Sequence, residues 1–109
     1  MATIQSNYGA CMVSRNIYEK RGNLKWCSKE KSRRDVDNGW RFLSDIDTDD
    51  YLADSNNWCI LAFETVAEIE PAIFAIYDLP IGTDLALAQD GERKYFIDRK
   101  TGEPIELAY

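Results

Sequence analysis

The chain has 109 residues, of which 45% are hydrophobic, 12% aromatic and 29% charged, and its net charge is −6. This composition predicts a single folded domain over residues 1–109, with a core large enough to need no metal or disulfide bridge. The chain contains no histidine, which excludes Ser-His-Asp and Cys-His catalysis and any histidine-ligated metal site.

The apolar segments and the cysteines indicate where the protein resides. No apolar run approaches the roughly 18 residues of a membrane-spanning helix, and the first ten residues lack the regions of a secretory signal. Cys11, Cys27 and Cys59 lie apart in apolar stretches, as buried free thiols do. We therefore expect a cytoplasmic protein without cofactors. A reactive thiolate at Cys27, beside Lys25 and Lys29, is the alternative.

Charge is unevenly distributed along the chain. Residues 15–34 hold eight basic and two acidic residues, whereas residues 35–92 hold fourteen acidic residues and Arg41 as their one basic residue. The basic segment has few aromatic residues and no recognisable nucleic-acid-binding module, and the acidic majority opposes nucleic acid binding. The sequence leaves open whether the basic and acidic segments pack together or form separate faces.

The first third of the chain predicts a strand, a helix and a second strand. Residues 9–14 are a short apolar run, typical of a buried strand. Asn16 and Glu19 form a capping-box pattern for a short helix, and Gly22 predicts a left-handed residue that ends it. A second strand is predicted over residues 24–28.

A loop, a turn and a third strand are predicted next. The stretch from Lys29 to Asn38 has one apolar residue, Val36, which predicts an exposed, mobile loop. Asp37-Asn38-Gly39 is a strong turn signal. The third strand is predicted to begin after this turn and to cover residues 40–44.

Residues 45–54, which we name the acidic segment, follow this strand. Their first half imitates a calcium loop, but Asp50 stands where glycine is needed and Asn56 where the bidentate glutamate is needed. We therefore expect no metal site. The better interpretation is a helix N-terminus, where Asp47, Thr48, Asp49 and Asp50 meet free backbone N–H groups. The same carboxylates can also contact a partner.

The apolar run over residues 58–63 predicts a central strand covered on both faces. Thr65 and Glu68 form a second capping-box pattern. Pro71 predicts a kink or the start of a second helical turn. Apolar residues at helical spacing predict the buried face of this helical segment: Val66, Ile69, Ile73 and Ile76.

Turns and short strands are predicted for the rest of the chain. Residues 78–83 form a turn around Pro80 and Gly82. Residues 85–89 and 94–98 flank the hairpin turn Asp90-Gly91, and a last strand is predicted over residues 105–107. The element order predicts an α+β fold, with a mainly antiparallel sheet, short helices packed on one face and a C-terminal β-hairpin or meander.

Several motifs together resemble one bacterial family: ACMVS at 10–14, DNGWRFLS at 37–44, DIDTDDYL at 45–52, the Asn56-Asn57 step and LPIGT at 79–83. Over about residues 9–90 the chain is similar to the domain-of-unknown-function 2185 family, grouped with immunity protein 33 of polymorphic toxin systems. The resemblance implies an intracellular, non-catalytic protein that binds and neutralises a toxin domain. It implies no catalytic residues, and it gives structural roles to the motif residues Gly39, Trp40, Arg41, Phe42, Pro80 and Gly82.

An acidic immunity protein can occlude the basic site of a nuclease-type toxin and steer its association. The predicted partner-binding residues are Asp45, Asp47, Asp49, Asp50 and Asp54, with Tyr51 and Trp58 beside them as anchors or as core residues. Two alternatives stay open. One is a housekeeping protein-interaction module without a toxin partner. The other is an enzyme in which Asp45, Asp49 and Arg41 share a cleft. The sequence does not determine the oligomeric state.

Overall fold

The computed structural model describes residues 8–33 and 35–105. It contains strands β1 (Ala10–Ser14), β2 (Leu24–Lys29), β3 (Asp37–Ser44), β4 (Trp58–Ala62), β5 (Asp84–Asp90) and β6 (Arg93–Asp98). They form one sheet in the order β4-β1-β3-β2-β5-β6. β1 and β3 are parallel, and the other neighbours are antiparallel. The predicted α+β fold with a mainly antiparallel sheet and a C-terminal hairpin is confirmed.

Three helical elements pack against one face of this sheet: α1 (Arg15–Tyr18), α3 (Phe63–Ile69) and a 3-10 helix at Pro71–Ile76. Two others, α2 (Asp49–Leu52) and a 3-10 turn at Ser55–Asn57, connect β3 to β4 and contain no buried residue. Pro71 starts the second helical turn, as predicted. Alternate strand residues meet α1, α3 and the 3-10 helix in one core, whose largest members are Trp40, Phe42, Phe63, Ile17, Ile73, Ile76, Val13 and Val66.

The predicted cap and stop of α1 are both wrong. The helix begins directly after β1, so its cap is Ser14, whose Oγ accepts the N–H of Asn16 at 3.3 Å. Lys20, with φ of 60°, adopts the left-handed conformation expected at Gly22. Gly22 is instead needed for close packing, because a Cβ at that position would lie 2.8 Å from Ile46.

β3 begins three residues earlier than predicted, at Asp37. Gly39 lies within the strand at φ of 90°, where the register with β1 shifts. A Cβ on Gly39 would lie 2.3 Å from the Glu30 carbonyl oxygen, so a side chain there is sterically excluded. The sequence from 37 to 39 is therefore a bulge inside a strand and not the turn that precedes one.

The predicted position of β4 is also wrong, because among the described strands β4 lies at an edge of the sheet and pairs only with β1. α3 then follows β4 without a loop. Its N-cap is Ala62, which provides no side-chain hydrogen bond, so the predicted capping box of Thr65 and Glu68 does not form.

The elements after α3 largely confirm the predictions. Gly82 is left-handed, with φ of 96°, in the turn that precedes β5. At the end of the hairpin, Ile97 forms a bridge with Pro104, while residues 106 and 107 of the predicted last strand lie outside the described residues. None of the helices in the described residues has the length and hydropathy needed to cross a membrane.

Candidate partner-binding surface

α2 forms in the middle of the acidic segment. Its N-cap is Thr48, whose Oγ accepts the N–H of Tyr51 at 3.1 Å. Asp49 and Asp50 occupy the first turn, as predicted, and both are exposed. In the described part of the chain no hydrogen bond or ion pair involves either carboxylate. These two side chains therefore present their charge to solvent.

Asp47, immediately before the cap, turns its carboxylate inward. Its Oδ1 accepts the Ser14 hydroxyl at 2.8 Å and the Asn16 amide at 2.7 Å, and its Oδ2 accepts the Ser44 N–H at 2.7 Å. Burial raises the pKa of Asp47, but these hydrogen bonds outweigh that effect and hold its pKa below the ordinary value. Asp47 thus joins the ends of β1 and β3, and it is not a capping residue of α2.

Two further aspartates of the segment fix the chain that surrounds α2. Asp45 accepts the backbone N–H of Asn23 at 2.9 Å and its side-chain amide at 3.4 Å. Asp54 caps the 3-10 turn by accepting the N–H of Asn56 at 2.9 Å. Both residues remain exposed. Hydrogen bonds from its aspartates therefore anchor the acidic segment to neighbouring parts of the chain.

The acidic segment and part of the basic segment meet at this end of the sheet. Arg15 Nε donates to the Asn56 carbonyl at 2.8 Å, and Arg21 approaches the Tyr51 hydroxyl at 3.5 Å. Arg21 also forms an ion pair with Glu19. Arg15 of α1 and Arg21 after it thus border the acidic segment.

Tyr51 and Trp58 are each half-buried and lie outside the core. The Trp58 indole N–H donates to the Leu52 carbonyl at 2.9 Å, which attaches α2 to the start of β4. The Asn57 amide donates to the Tyr51 carbonyl at 2.8 Å. Both aromatic side chains keep exposed surface next to Asp54, as an anchor requires.

Arg41, in the DNGWRFLS motif, is buried on the sheet face opposite the core. Its guanidinium donates to both oxygens of Asp37, at 2.9 and 2.8 Å, and approaches Glu30 at 3.4 Å. The hydrogen bond from Arg41 holds the pKa of Asp37 well below its usual range. This bidentate pair fixes the start of β3 beside the 30–36 loop.

Trp40, Phe42 and Gly82 of the other motifs make packing and hydrogen-bond contacts within the fold. The rings of Trp40 and Phe42 stack at 5.8 Å in the core, and the Trp40 indole N–H donates to the Tyr77 carbonyl at 3.2 Å. Gly82, two residues after Pro80, donates its N–H to the Lys29 carbonyl at 2.8 Å. This turn therefore closes over the end of β2.

Within residues 8–33 and 35–105, Arg41 and Asp45 of the enzyme alternative line different clefts. Arg41 lines one cleft with Met12 and Trp58, Asp45 lines another with Lys25 and Glu70, and the two clefts share no residue. Among residues 8–33 and 35–105, no three cysteine, aspartate or glutamate side chains are grouped as a metal site requires.

The structure also gives no support to a reactive thiolate at Cys27. Burial raises the pKa of Cys11 to about 12 and raises the pKa of Cys27 still further. Lys29 does not approach the Cys27 thiol as an activating cation, since its ammonium donates to the Leu79 carbonyl at 2.9 Å. Cys59 is half-buried, less covered than predicted.

The two ends of the sheet carry different groups. The acidic segment lies where β1 and β3 end and β4 begins, and the 78–83 turn lies at the opposite end, where β5 begins.

A comparison with protein families matches residues 11–96 to the family described as Immunity protein Imm33 domain. Neither the curated proteins nor the solved structures contain a match.

Proposed function

The chain belongs to the Imm33 immunity protein family, and on that premise we propose that it is a non-catalytic, cytoplasmic bacterial protein that binds and neutralises a toxin domain. The observation that carries the proposal is the exposed acidic segment, which hydrogen bonds of Asp45, Asp47 and Asp54 anchor to the rest of the fold. A toxin that acts on nucleic acid needs a basic site. Exposed carboxylates complement such a site and block it.

In this proposal the aspartates divide into two roles. Asp49 and Asp50 contact the toxin, because both are exposed and neither is used in the hydrogen bonds that hold the fold. Asp45 and Asp54 add charge at the sides of the surface while they fix the neighbouring turns. Asp47 positions the segment by accepting a hydrogen bond from the Ser44 N–H at the end of β3. Tyr51 and Trp58 supply the apolar part of the contact.

The experiment reverses the two exposed charges in the double variant Asp49→Lys/Asp50→Lys. The partner is the toxin domain encoded beside this gene, or the protein captured from the native lysate, and surface plasmon resonance measures association. We expect association to slow by roughly tenfold or more at low salt, since charge at an interface acts mainly on the on-rate. Added salt should weaken wild-type binding in the same direction.

The matched control is Asp78→Lys/Glu103→Lys, which changes the net charge equally at the opposite end of the sheet, on residues that are also exposed. Melting temperature verifies that both variants fold. Equal slowing in both variants would indicate a general charge effect, and unchanged association in the first would move the contact to residues 15–34. Expression of the gene without any protection against the neighbouring toxin would favour the housekeeping alternative.

A further inference from the structure

The two edges of the sheet differ in how they are protected. β6 carries two basic residues and Asp98, and Pro104 bridges to it at Ile97. Charge and proline at an edge strand prevent pairing with another chain. β4, the opposite edge, has the sequence WCILA, with neither charge nor proline. Its central residue, Ile60, is 57% exposed.

The hydrogen-bonding pattern determines which backbone groups of β4 face this edge. The Phe63 N–H donates to the Gly9 carbonyl at 3.0 Å. Because hydrogen-bonded residues alternate in an antiparallel pair, residues 59 and 61 also direct their backbone groups toward β1. The backbone N–H and carbonyl groups of Trp58, Ile60 and Ala62 therefore point outward.

Two of these outward groups are already used. The Trp58 N–H donates to the Ser55 carbonyl, and Ala62, as the N-cap of α3, directs its carbonyl into the first helical turn. The N–H and carbonyl of Ile60, the N–H of Ala62 and the carbonyl of Trp58 have no partner in residues 8–33 and 35–105.

We propose that β4 pairs antiparallel with β4 of a second copy of the chain, about a two-fold axis at Ile60. In this register the two Ile60 residues exchange N–H and carbonyl hydrogen bonds. The Ala62 N–H of each copy donates to the Trp58 carbonyl of the other. Each copy donates two hydrogen bonds and accepts two. The four unpartnered groups are satisfied, and the two groups already in use are left undisturbed.

Side chains near the strand also suit a second copy. Ile60 lies opposite Met12, on the sheet face away from the core, so the pairing places the two exposed Ile60 side chains together. The net charge of −6 on each copy opposes association, so salt should strengthen the dimer.

The test is sedimentation of the full chain across a range of micromolar concentrations. We expect the wild type to approach twice its 12.5 kDa mass, more so at high salt. Ile60→Lys should be monomeric, because it places like charges opposite each other at the axis. The matched control is Ile81→Lys, which changes a residue that is 62% exposed in the turn at the other end of the sheet, and it should dimerise as the wild type does.

A second variant locates the axis. Residues opposite each other in a hydrogen-bonded pair have Cα atoms about 5.5 Å apart, within disulfide range. With an added oxidant, Ile60→Cys should form a disulfide between copies, and Ile81→Cys should not.

A wild type that stays monomeric, or an Ile60→Lys variant that still dimerises, overturns the proposal. If deletion of residues 2–7 were needed to produce the dimer, that segment would be the occupant of this edge. Salt is expected to strengthen the dimer and to weaken toxin binding, so the salt dependence distinguishes the two interactions.

Discussion

The substitution Asp47→Asn tests whether this carboxylate supports the fold rather than the contact. An asparagine Oδ1 can still accept the hydrogen bonds from Ser14 and Asn16. Its Nδ2 takes the place of Oδ2, and because Nδ2 is itself a donor it cannot accept the Ser44 N–H. One hydrogen bond to a charged acceptor is lost, and a donor is left unsatisfied. Each effect costs about 1–3 kcal/mol, so the free energy of unfolding should fall by about 3 kcal/mol.

Thermal and urea denaturation measure this loss. For a domain of this size the melting temperature should fall by roughly 10–20 °C at neutral pH. The matched control Asp49→Asn removes an equal charge from an exposed side chain and should stay within about 0.5 kcal/mol of wild type. Because folding lowers the pKa of Asp47, the stabilisation is complete above its unfolded pKa of about 3.9 and disappears as the pH falls through the folded pKa. Equal melting temperatures of the two variants at pH 7 would refute the reasoning.

Three further predictions concern the core, the thiols and the acidic segment. Trp40→Ala should lower the free energy of unfolding by about 3–5 kcal/mol, because it empties a fully buried, stacked position, and a melting temperature within a few degrees of wild type would contradict the assignment. Cys11 and Cys27 should react with a thiol reagent only after denaturation, and rapid labelling of Cys27 in the native protein would restore the nucleophile hypothesis. The acidic segment should bind no calcium in calorimetry at millimolar calcium, and a stoichiometric isotherm of micromolar affinity would disprove this.

The sequence predicted the elements whose signals are local. The strand-helix order, the turn at Gly82 and the hairpin at Asp90-Gly91 depend on residues adjacent in the chain, and all are found. The helical stripe from Val66 to Ile76 was predicted for the same reason, since spacing alone indicates a buried helical face.

Most of the errors concern features that a local pattern does not determine. A continuous apolar run indicates a strand but not how many neighbours it has, so β4 was assigned to the centre although Ile60 is exposed at an edge. The inward direction of Asp47 depends on Ser14 and Asn16, about thirty residues earlier, and no local pattern encodes it. α1 uses Ser14 rather than Asn16 as its N-cap because the helix begins directly after β1.

The strand order has a consequence for synthesis on the ribosome. β1 has two neighbours in the sheet, β3 and β4, and both are translated after β2. At about 5–20 residues per second, the ribosome needs seconds after β1 to complete β3, the first neighbour of β1 to be translated. β2 and β3 are neighbours both in sequence and in the sheet, so we expect them to pair first during synthesis and β1 to join them afterwards.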